Sequence, residues 1–175
     1  MQRRPVWTGV LQVAVVVRDM DEAVRRYADG YGIGPWKLYT FRGTHRDMVI
    51  RDRPASYGMR VALCDLGSVN WELIQPLDQH SIYAEFLRDH GEGVQHVALS
   101  TEDPSAAIEH ARQRSPNGIG VLQAGTVPSG REGLRYTYLD TVHDLGVVAE
   151  VWQPSAGFEF PEPDEVYPPP AAQSQ

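Results

Sequence analysis

An internal duplication limits what this chain can fold into more than any other feature of its sequence. Gln12, Val13, Ala14, Asp19 and Ala23 align with His96, Val97, Ala98, Asp103 and Ala107 at an offset of 84. Gly58, Arg60 and Asp65 align with Gly133, Arg135 and Asp140 at an offset of 75, and Glu72, Gln75 and Pro76 with Glu150, Gln153 and Pro154 at 78. Offsets that drift while residue types persist mean equivalent elements separated by loops of unequal length. The chain therefore has to be built from two copies of one supersecondary unit.

Local patterning supplies the unit. Residues 11–17 form a β-branched run, after which Asp19 opens a helix with Glu22 three residues on, a capping-box arrangement. Met20, Val24, Tyr27, Ala28 and Tyr31 share one helical face, and Gly30, Gly32, Gly34 and Pro35 end the helix. Extended runs follow at 36–41, 59–66 and 69–74, the last two joined by a turn at Gly67 and Ser68. A short amphipathic helix is expected over 81–90, closed by Gly91. The order then repeats: a strand at 96–101, a helix capped by Asp103 with Pro104 in its first turn, and strands at 119–127, 134–139 and 147–152. This reads as an N-terminal extension (1–9), a first β-α-β-β-β module (10–76), a helical linker (77–93), a second module (94–153) and a Pro-rich tail (154–175) that is not a core element. Six of the 13 prolines fall in residues 154–170. Phe158, Phe160 and Tyr167 are the tail residues able to wrap a surface.

Composition narrows the function classes. With 175 residues, 42% of them hydrophobic, the chain is an ordinary globular sequence, and no apolar run approaches the roughly 20 residues of a membrane-spanning helix. The start is basic but interrupted by Pro5 and Trp7 before any signal-peptide core, so a cytoplasmic location is expected. Cys64 is the one cysteine, which fits a reducing compartment and excludes a thiolate cluster. A net charge of −7, with Lys37 the single lysine, argues against nucleic acid as a partner. Arg42, Arg46, Arg51, Arg53 and Arg60 are either a clamp for an anionic group on a small molecule or, as charge runs usually are, a solvated surface.

Duplication also makes a prediction that one module would not. Related by a pseudo-twofold axis, the equivalent first-strand residues Gln12 and His96 and last-strand residues Glu72 and Glu150 converge. Each is polar in an otherwise apolar strand. Taken singly, each reads as the outward face of a strand or a hydrogen-bonded core group, and alternation does not decide, since Glu72 lies between Trp71 and Leu73 and Glu150 between Ala149 and Val151. Taken together, one imidazole, one amide oxygen and two carboxylates suit a borderline or hard divalent ion: zinc, nickel, cobalt or manganese.

The duplicated module, the strand-Asp-helix openings and the paired segments Glu72-Leu73-Ile74-Gln75-Pro76 and Glu150-Val151-Trp152-Gln153-Pro154 resemble the vicinal oxygen chelate superfamily, which includes glyoxalase I, methylmalonyl-CoA epimerase, extradiol dioxygenases and bleomycin-resistance proteins. The resemblance covers residues 10–153. It implies an α+β fold in which two tandem βαβββ modules make a cup-shaped, barrel-like mixed sheet with flanking helices around one divalent metal. The implied ligands are Gln12, Glu72, His96 and Glu150. The linker, with Pro76-Leu77, Ser81, Phe86-Leu87, Gly91, Gly93 and Gln95-His96-Val97-Ala98, is most similar to methylmalonyl-CoA epimerase. Gln12 departs from the His with which epimerases usually begin, Gln95-His96 from their His-His pair, and the family's catalytic glutamate before the third strand is replaced near Ser56-Tyr57-Gly58. The ligand order Gln, Glu, His, Glu is instead similar to that of eukaryotic glyoxalase I.

The resemblance implies proton abstraction next to a carbonyl of a small molecule, through a metal-stabilised enolate, by an isomerase, epimerase or glyoxalase-like lyase. Glu150 is the expected base and Glu72 the group that returns the proton. Tyr39, Arg60, Trp71, Tyr136 and Tyr138, with Trp36, are candidates for the substrate pocket. Rival readings are a metal-free drug-binding protein of the bleomycin-resistance type, a natural-product cyclase or isomerase, and an extradiol dioxygenase. The last is disfavoured because His96 alone occupies a ligand position while His143 and the other histidines fall in loops or helices. A homodimer is expected from family habit and from the aromatic tail.

Overall fold

A computed structural model describes residues 5–129 and 132–169. The first module runs through β1 (Gly9–Val16), α1 (Met20–Arg25) with a π-helical turn over Arg26–Gly30, β2 (Trp36–Arg42), β3 (Arg46–Ile50), β4 (Arg53–Pro54), β5 (Gly58–Leu66) and β6 (Val69–Pro76). After α2 (Ile82–His90) come β7 (Gly93–Ser100), α3 (Pro104–Arg114), β8 (Val121–Ser129), β9 (Glu132–Leu139), α4 (Val142–Leu145), β10 (Val148–Pro154) and β11 (Glu165–Tyr167). The fold is α+β, a curled mixed sheet in the order β11-β2-β5-β6-β1-β7-β10-β9-β8-β3-β4. Within it the series β2-β5-β6-β1 and β8-β9-β10-β7 are the same topology, as the duplication requires.

The helices start where the sequence places their caps. Asp19 accepts from the Glu22 amide at 2.9 Å, Asp103 from the Ala106 amide at 2.9 Å, and Ser81 from the Ala84 amide at 3.3 Å. No helix among the described residues is long and apolar enough to cross a membrane.

Both faces of the sheet are covered, so its strands carry two apolar sets rather than one. On the helical face Val15, Val17, Leu38, Ala62, Cys64 and Leu73 pack with Met20, Ala23 and Val24 of α1. On the concave face Ala14, Val16, Tyr39, Met59, Val61, Leu63 and Ile74 meet Leu134, Tyr136, Tyr138 and Val148 of the second module, with Ile82 and Tyr83 of α2. Alternation along each strand sorts residues between these two layers.

Two elements were not expected from the sequence. The arginine-containing stretch after β2 forms a β-hairpin whose first strand, β3, leaves its own module and pairs antiparallel with β8 of the other. The tail, expected as a non-core appendage, returns to the sheet: β11 pairs antiparallel with β2, Asp164 accepts from the Thr40 amide at 2.7 Å, and the Tyr167 hydroxyl donates to Asp29 at 3.0 Å. Residues 1–4 and 170–175 of the expected extension and tail lie outside the described residues.

Trp36 anchors the helical layer. It is fully buried, its indole N–H donates to the Ile33 carbonyl at 2.6 Å, and Tyr27 meets it edge-on with ring centres 5.6 Å apart. Trp36→Ala removes this packing and leaves the Ile33 carbonyl unpaired, so denaturant unfolding should show a loss of about 3–5 kcal/mol; a loss below about 1 kcal/mol would contradict the assignment.

Candidate active site

Strand register builds the site. β1 and β7 run antiparallel at the centre of the sheet, with Ala14 opposite His96 and Gln12 opposite Ala98. Parallel pairing on the outer sides sets Glu72 beside Ala14 and Glu150 beside Ala98. Two cross-strand rows result, Glu72-Ala14-His96 and Gln12-Ala98-Glu150. Both alanines are fully buried, and their small side chains leave room above the seam for the long polar ones to bend together.

Three of the four expected ligand residues make contact. His96 Nε2 lies 3.3 Å from Glu72 Oε2 and 3.4 Å from Glu150 Oε2. All three atoms are buried and none has a well-aligned hydrogen-bond partner. From behind, His96 Nδ1 donates to the Gln95 side-chain oxygen at 2.7 Å, so whenever the ring is neutral the lone pair is on Nε2, the arrangement in which a histidine serves as a ligand. Gln12 lines the same cavity. Its amide nitrogen donates to Asn70 at 2.9 Å, which leaves the carbonyl oxygen as the atom it can offer.

The electrostatics express one requirement. Burial pushes the Glu72 carboxyl up, against the pull of His96. Burial opposes the His96 imidazolium too, but the charges of Glu150 and Glu72 override it and raise its pKa to about 9. Two carboxylates in an apolar cavity need two positive charges to balance them, as protons or as a divalent ion. Among the described residues no three His, Cys, Asp or Glu side chains are already spread as a coordination sphere; the imidazole stands between the carboxylates and closes the centre on itself. The donor set nonetheless fits a divalent ion in charge and donor type, and the 3.3 and 3.4 Å separations from Nε2 match the roughly 3.3–3.6 Å between neighbouring ligands about 2.0–2.2 Å from a tetrahedral ion.

Around this centre is a cavity of about 510 Å³, its open mouth included, although the centre of a water molecule can move through only about 50 Å³ of it. Of the expected pocket residues, Tyr39, Tyr136 and Tyr138 line it. Arg60, Trp71 and Trp36 do not, because they fall on the alternate positions of their strands. Arg60 turns to the helical side and pairs with Asp21 at 2.7 Å, and Trp71 and Trp36 belong to the layer under α1. The arginine run forms no clamp over the cavity. Arg51 holds Glu85 through two bonds of 3.0 and 2.7 Å, and Arg42 and Arg53 are exposed. His143 sits exposed on α4.

Several cavity residues escaped the sequence reading. Phe41 and Phe160 form part of the wall, the latter brought back by the tail to within 6.3 Å of the Tyr39 ring centre. His45, expected in a loop, is buried against the cavity with Nδ1 2.8 Å from the Tyr136 hydroxyl, and Tyr136 in turn is 2.7 Å from the Tyr57 hydroxyl. Gly125 makes this cluster possible: a Cβ there would lie 2.4 Å from the Tyr136 hydroxyl oxygen. No periodicity marks His45, which sits in a polar stretch between Thr44 and Arg46. Only the crossing of β3 to β8 brings it inside.

Comparison with known proteins follows the same outline. The family described as the glyoxalase/bleomycin resistance protein/dioxygenase superfamily matches residues 11–138, well over half of the chain. Among solved structures, a hypothetical protein, BH1468, of Bacillus halodurans C-125 is 19% identical, with a TM-score of 0.62 over 86% of this chain and 97% of that one, a likeness of fold alone. Methylmalonyl-CoA epimerase from Mycobacterium tuberculosis is 25% identical, with a TM-score of 0.58 over 89% of this chain and 93% of that one. A variant of the Streptomyces coelicolor methylmalonyl-CoA epimerase in complex with 2-nitronate-propionyl-CoA is 25% identical, with a TM-score of 0.60 over 89% and 99%. No curated protein matches.

Burial lowers the pKa of His45 to about 4 from an ordinary 6.5. Between those values the unfolded chain holds a proton that the folded chain does not, so stability falls as pH drops through this window. The full difference amounts to about 3 kcal/mol. Urea unfolding at pH 7 and pH 4.5 should show the native chain losing about 2 kcal/mol more than His45→Gln; equal losses would mean that His45 is not buried as a neutral ring.

Proposed function

We propose that this chain, which belongs to the glyoxalase/bleomycin resistance protein/dioxygenase superfamily, is a divalent-metal-dependent isomerase, epimerase or glyoxalase-type lyase that removes a proton next to a carbonyl of a small-molecule substrate. The observation that carries this reading is the convergence of His96 Nε2, Glu72 Oε2 and Glu150 Oε2, three buried atoms without aligned partners beside a cavity that Glu72 and Glu150 line. Likeness to methylmalonyl-CoA epimerases supports the reaction class; the departures at Gln12, Gln95 and Tyr57 leave the substrate a separate question.

His96, Glu72 and Glu150, with the Gln12 carbonyl oxygen, are the residues that would hold the ion. A divalent ion held there supplies positive charge against the negative charge that develops on a carbonyl oxygen when the neighbouring carbon loses its proton. The chain's own groups do the rest. Gln95 fixes the His96 ring so that Nε2 faces Glu72 and Glu150. Glu150 takes the proton from carbon. Glu72, on the other side of Nε2, has a carboxyl raised by burial and suited to carry and return a proton. The apolar wall of Met59, Val61, Leu63 and Ile74 limits water at the reacting carbon. The narrow interior favours a compact acyl group over a large polycyclic one, which places the cyclase reading second. The expected homodimer remains part of the proposal on family grounds alone, because the tail aromatics that argued for it are engaged within the chain.

One observation favours the metal-free binding reading instead, namely that a protonated His96 already supplies one positive charge to the two carboxylates, to which a single further proton would complete the balance. Elemental mass spectrometry on untagged protein purified without chelator separates the two. The proposal expects about one divalent ion per chain and loss of that ion in His96→Ala. It also expects solvent-deuterium exchange into a turned-over carbonyl substrate, methylmalonyl-CoA being tried first, that falls at least about a hundredfold in Glu150→Gln with the fold intact. Protein that binds none of zinc, nickel, cobalt or manganese would exclude the metal-dependent reading.

A further inference from the structure

The wall of the cavity beside the carboxylate centre carries hydrogen-bonding groups whose directions can be worked out. A backbone carbonyl only accepts, so the 2.8 Å bond between Tyr57 and the Ala124 carbonyl consumes the Tyr57 proton. The 2.7 Å contact between Tyr57 and Tyr136 is then donated by Tyr136. With its proton spent, Tyr136 accepts from His45 Nδ1–H at 2.8 Å. The chain of donors therefore runs one way, from His45 through Tyr136 and Tyr57 to a carbonyl that cannot turn round. It locks His45 as the Nδ1–H tautomer and leaves Nε2 with its lone pair. That atom is buried and without a partner, and the residue, 7% exposed, lines the cavity.

The neighbouring tyrosine has the opposite polarity. Tyr83, fully buried on α2, donates to the Tyr138 hydroxyl at 2.9 Å, so Tyr138 keeps its own O–H for whatever fills the cavity. Tyr136 and Tyr138 lie two apart on β9, on one face, with ring centres 5.7 Å apart, and Glu150 is the cross-strand neighbour of Tyr138. Glu150, the Tyr138 donor and the His45 acceptor thus follow one another along the wall.

We infer that this wall is a substrate-selecting subsite in which the Tyr138 hydroxyl donates to a ligand carbonyl oxygen and His45 Nε2 accepts from a ligand hydroxyl, so that the cavity takes compact hydroxy-carbonyl compounds. The inference deepens the proposed function and rests on that reading for the fate of the carbonyl; the polarity of the wall itself does not depend on a metal. A buried acceptor facing a ligand that lacks the donor is left unpaired, and such sites discriminate sharply. Tyr136 and Tyr57 are positioning residues, acting through the tautomer of His45.

The test uses the full chain and four probes: hydroxyacetone and 4-hydroxy-2-butanone, each against its methyl ether. Ring nitrogen NMR of the ligand-free protein should show His45 as the neutral Nδ1–H tautomer; an Nε2–H tautomer would overturn the inference. In NMR titrations at least one hydroxyketone should bind about tenfold more tightly than its ether and move the His45 Nε2 resonance. The preference should vanish in Tyr136→Phe, which keeps the ring volume but frees the tautomer, and in His45→Phe. Tyr138→Phe should weaken hydroxyketone and ether alike, since both retain the carbonyl. No binding by either hydroxyketone, no preference over the ethers, or a preference unchanged in both the His45 and Tyr136 variants would each overturn it. Preserved selectivity in a chain that takes up no metal would sink the metal-dependent chemistry and leave the subsite standing; metal-dependent exchange without selectivity would do the reverse.

Discussion

The antiparallel seam between β1 and β7 is the interaction on which the rest of the structure depends. This seam joins the equivalent first strands of the two copies, and its register decides which side chains meet. Ala14 opposite His96 and Gln12 opposite Ala98 make the seam symmetric about a point between the two rows. Parallel partners β6 and β10 then deliver Glu72 and Glu150 to the same place from opposite sides. A slip of one residue in a strand would turn its polar groups to the helical side; for Gln12 and Glu72 that is the layer beneath α1, where Met20, Ala23 and Val24 offer them nothing.

A sheet covered on both faces solves the problem of burying so many polar groups. The helical face has an apolar core that supplies the packing, while the concave face carries a tyrosine and histidine lining whose hydrogen bonds close on one another. Tyr57, Tyr136 and His45 form one such set, Tyr83 and Tyr138 another. Among the described residues, four of the six buried side-chain atoms left without a partner cluster at the cavity or directly behind it: Glu72 Oε2, Glu150 Oε2, His96 Nε2 and His45 Nε2, the other two being Trp71 Nε1 and Gln123 Nε2. In a native interior such atoms are rare, and their clustering in one cavity is the structural mark of a place meant to be filled.

The duplication is symmetric and the site is not. The first module sends β3 across to β8 and so places His45 on the second module's side, an event with no counterpart in the second copy. The tail returns to β2 and lays Phe160 against Tyr39. These two additions shape the walls around a centre that the duplication alone would have left open, and they give the cavity one end for charge and another for hydrogen-bond selection.

Much of this was legible in the chain itself. The repeat offsets, the helix caps at Asp19 and Asp103, and the helix closed by Gly91 determined the module order and the convergence of Glu72, His96 and Glu150, because duplication and local hydrogen bonding act through neighbours in sequence. Strand alternation was not decisive for Trp36, Arg60 and Trp71, since a sheet buried on both faces makes each strand apolar throughout, and only packing shows which layer a side chain enters. His45 and Phe160 were invisible for a different reason. Their positions depend on which sheet edge a polar hairpin and a Pro-rich tail find, and that choice is made by unpaired strand edges distant in sequence. The sequence by itself determined the fold and the charged centre; the tertiary structure alone decided the wall that faces it.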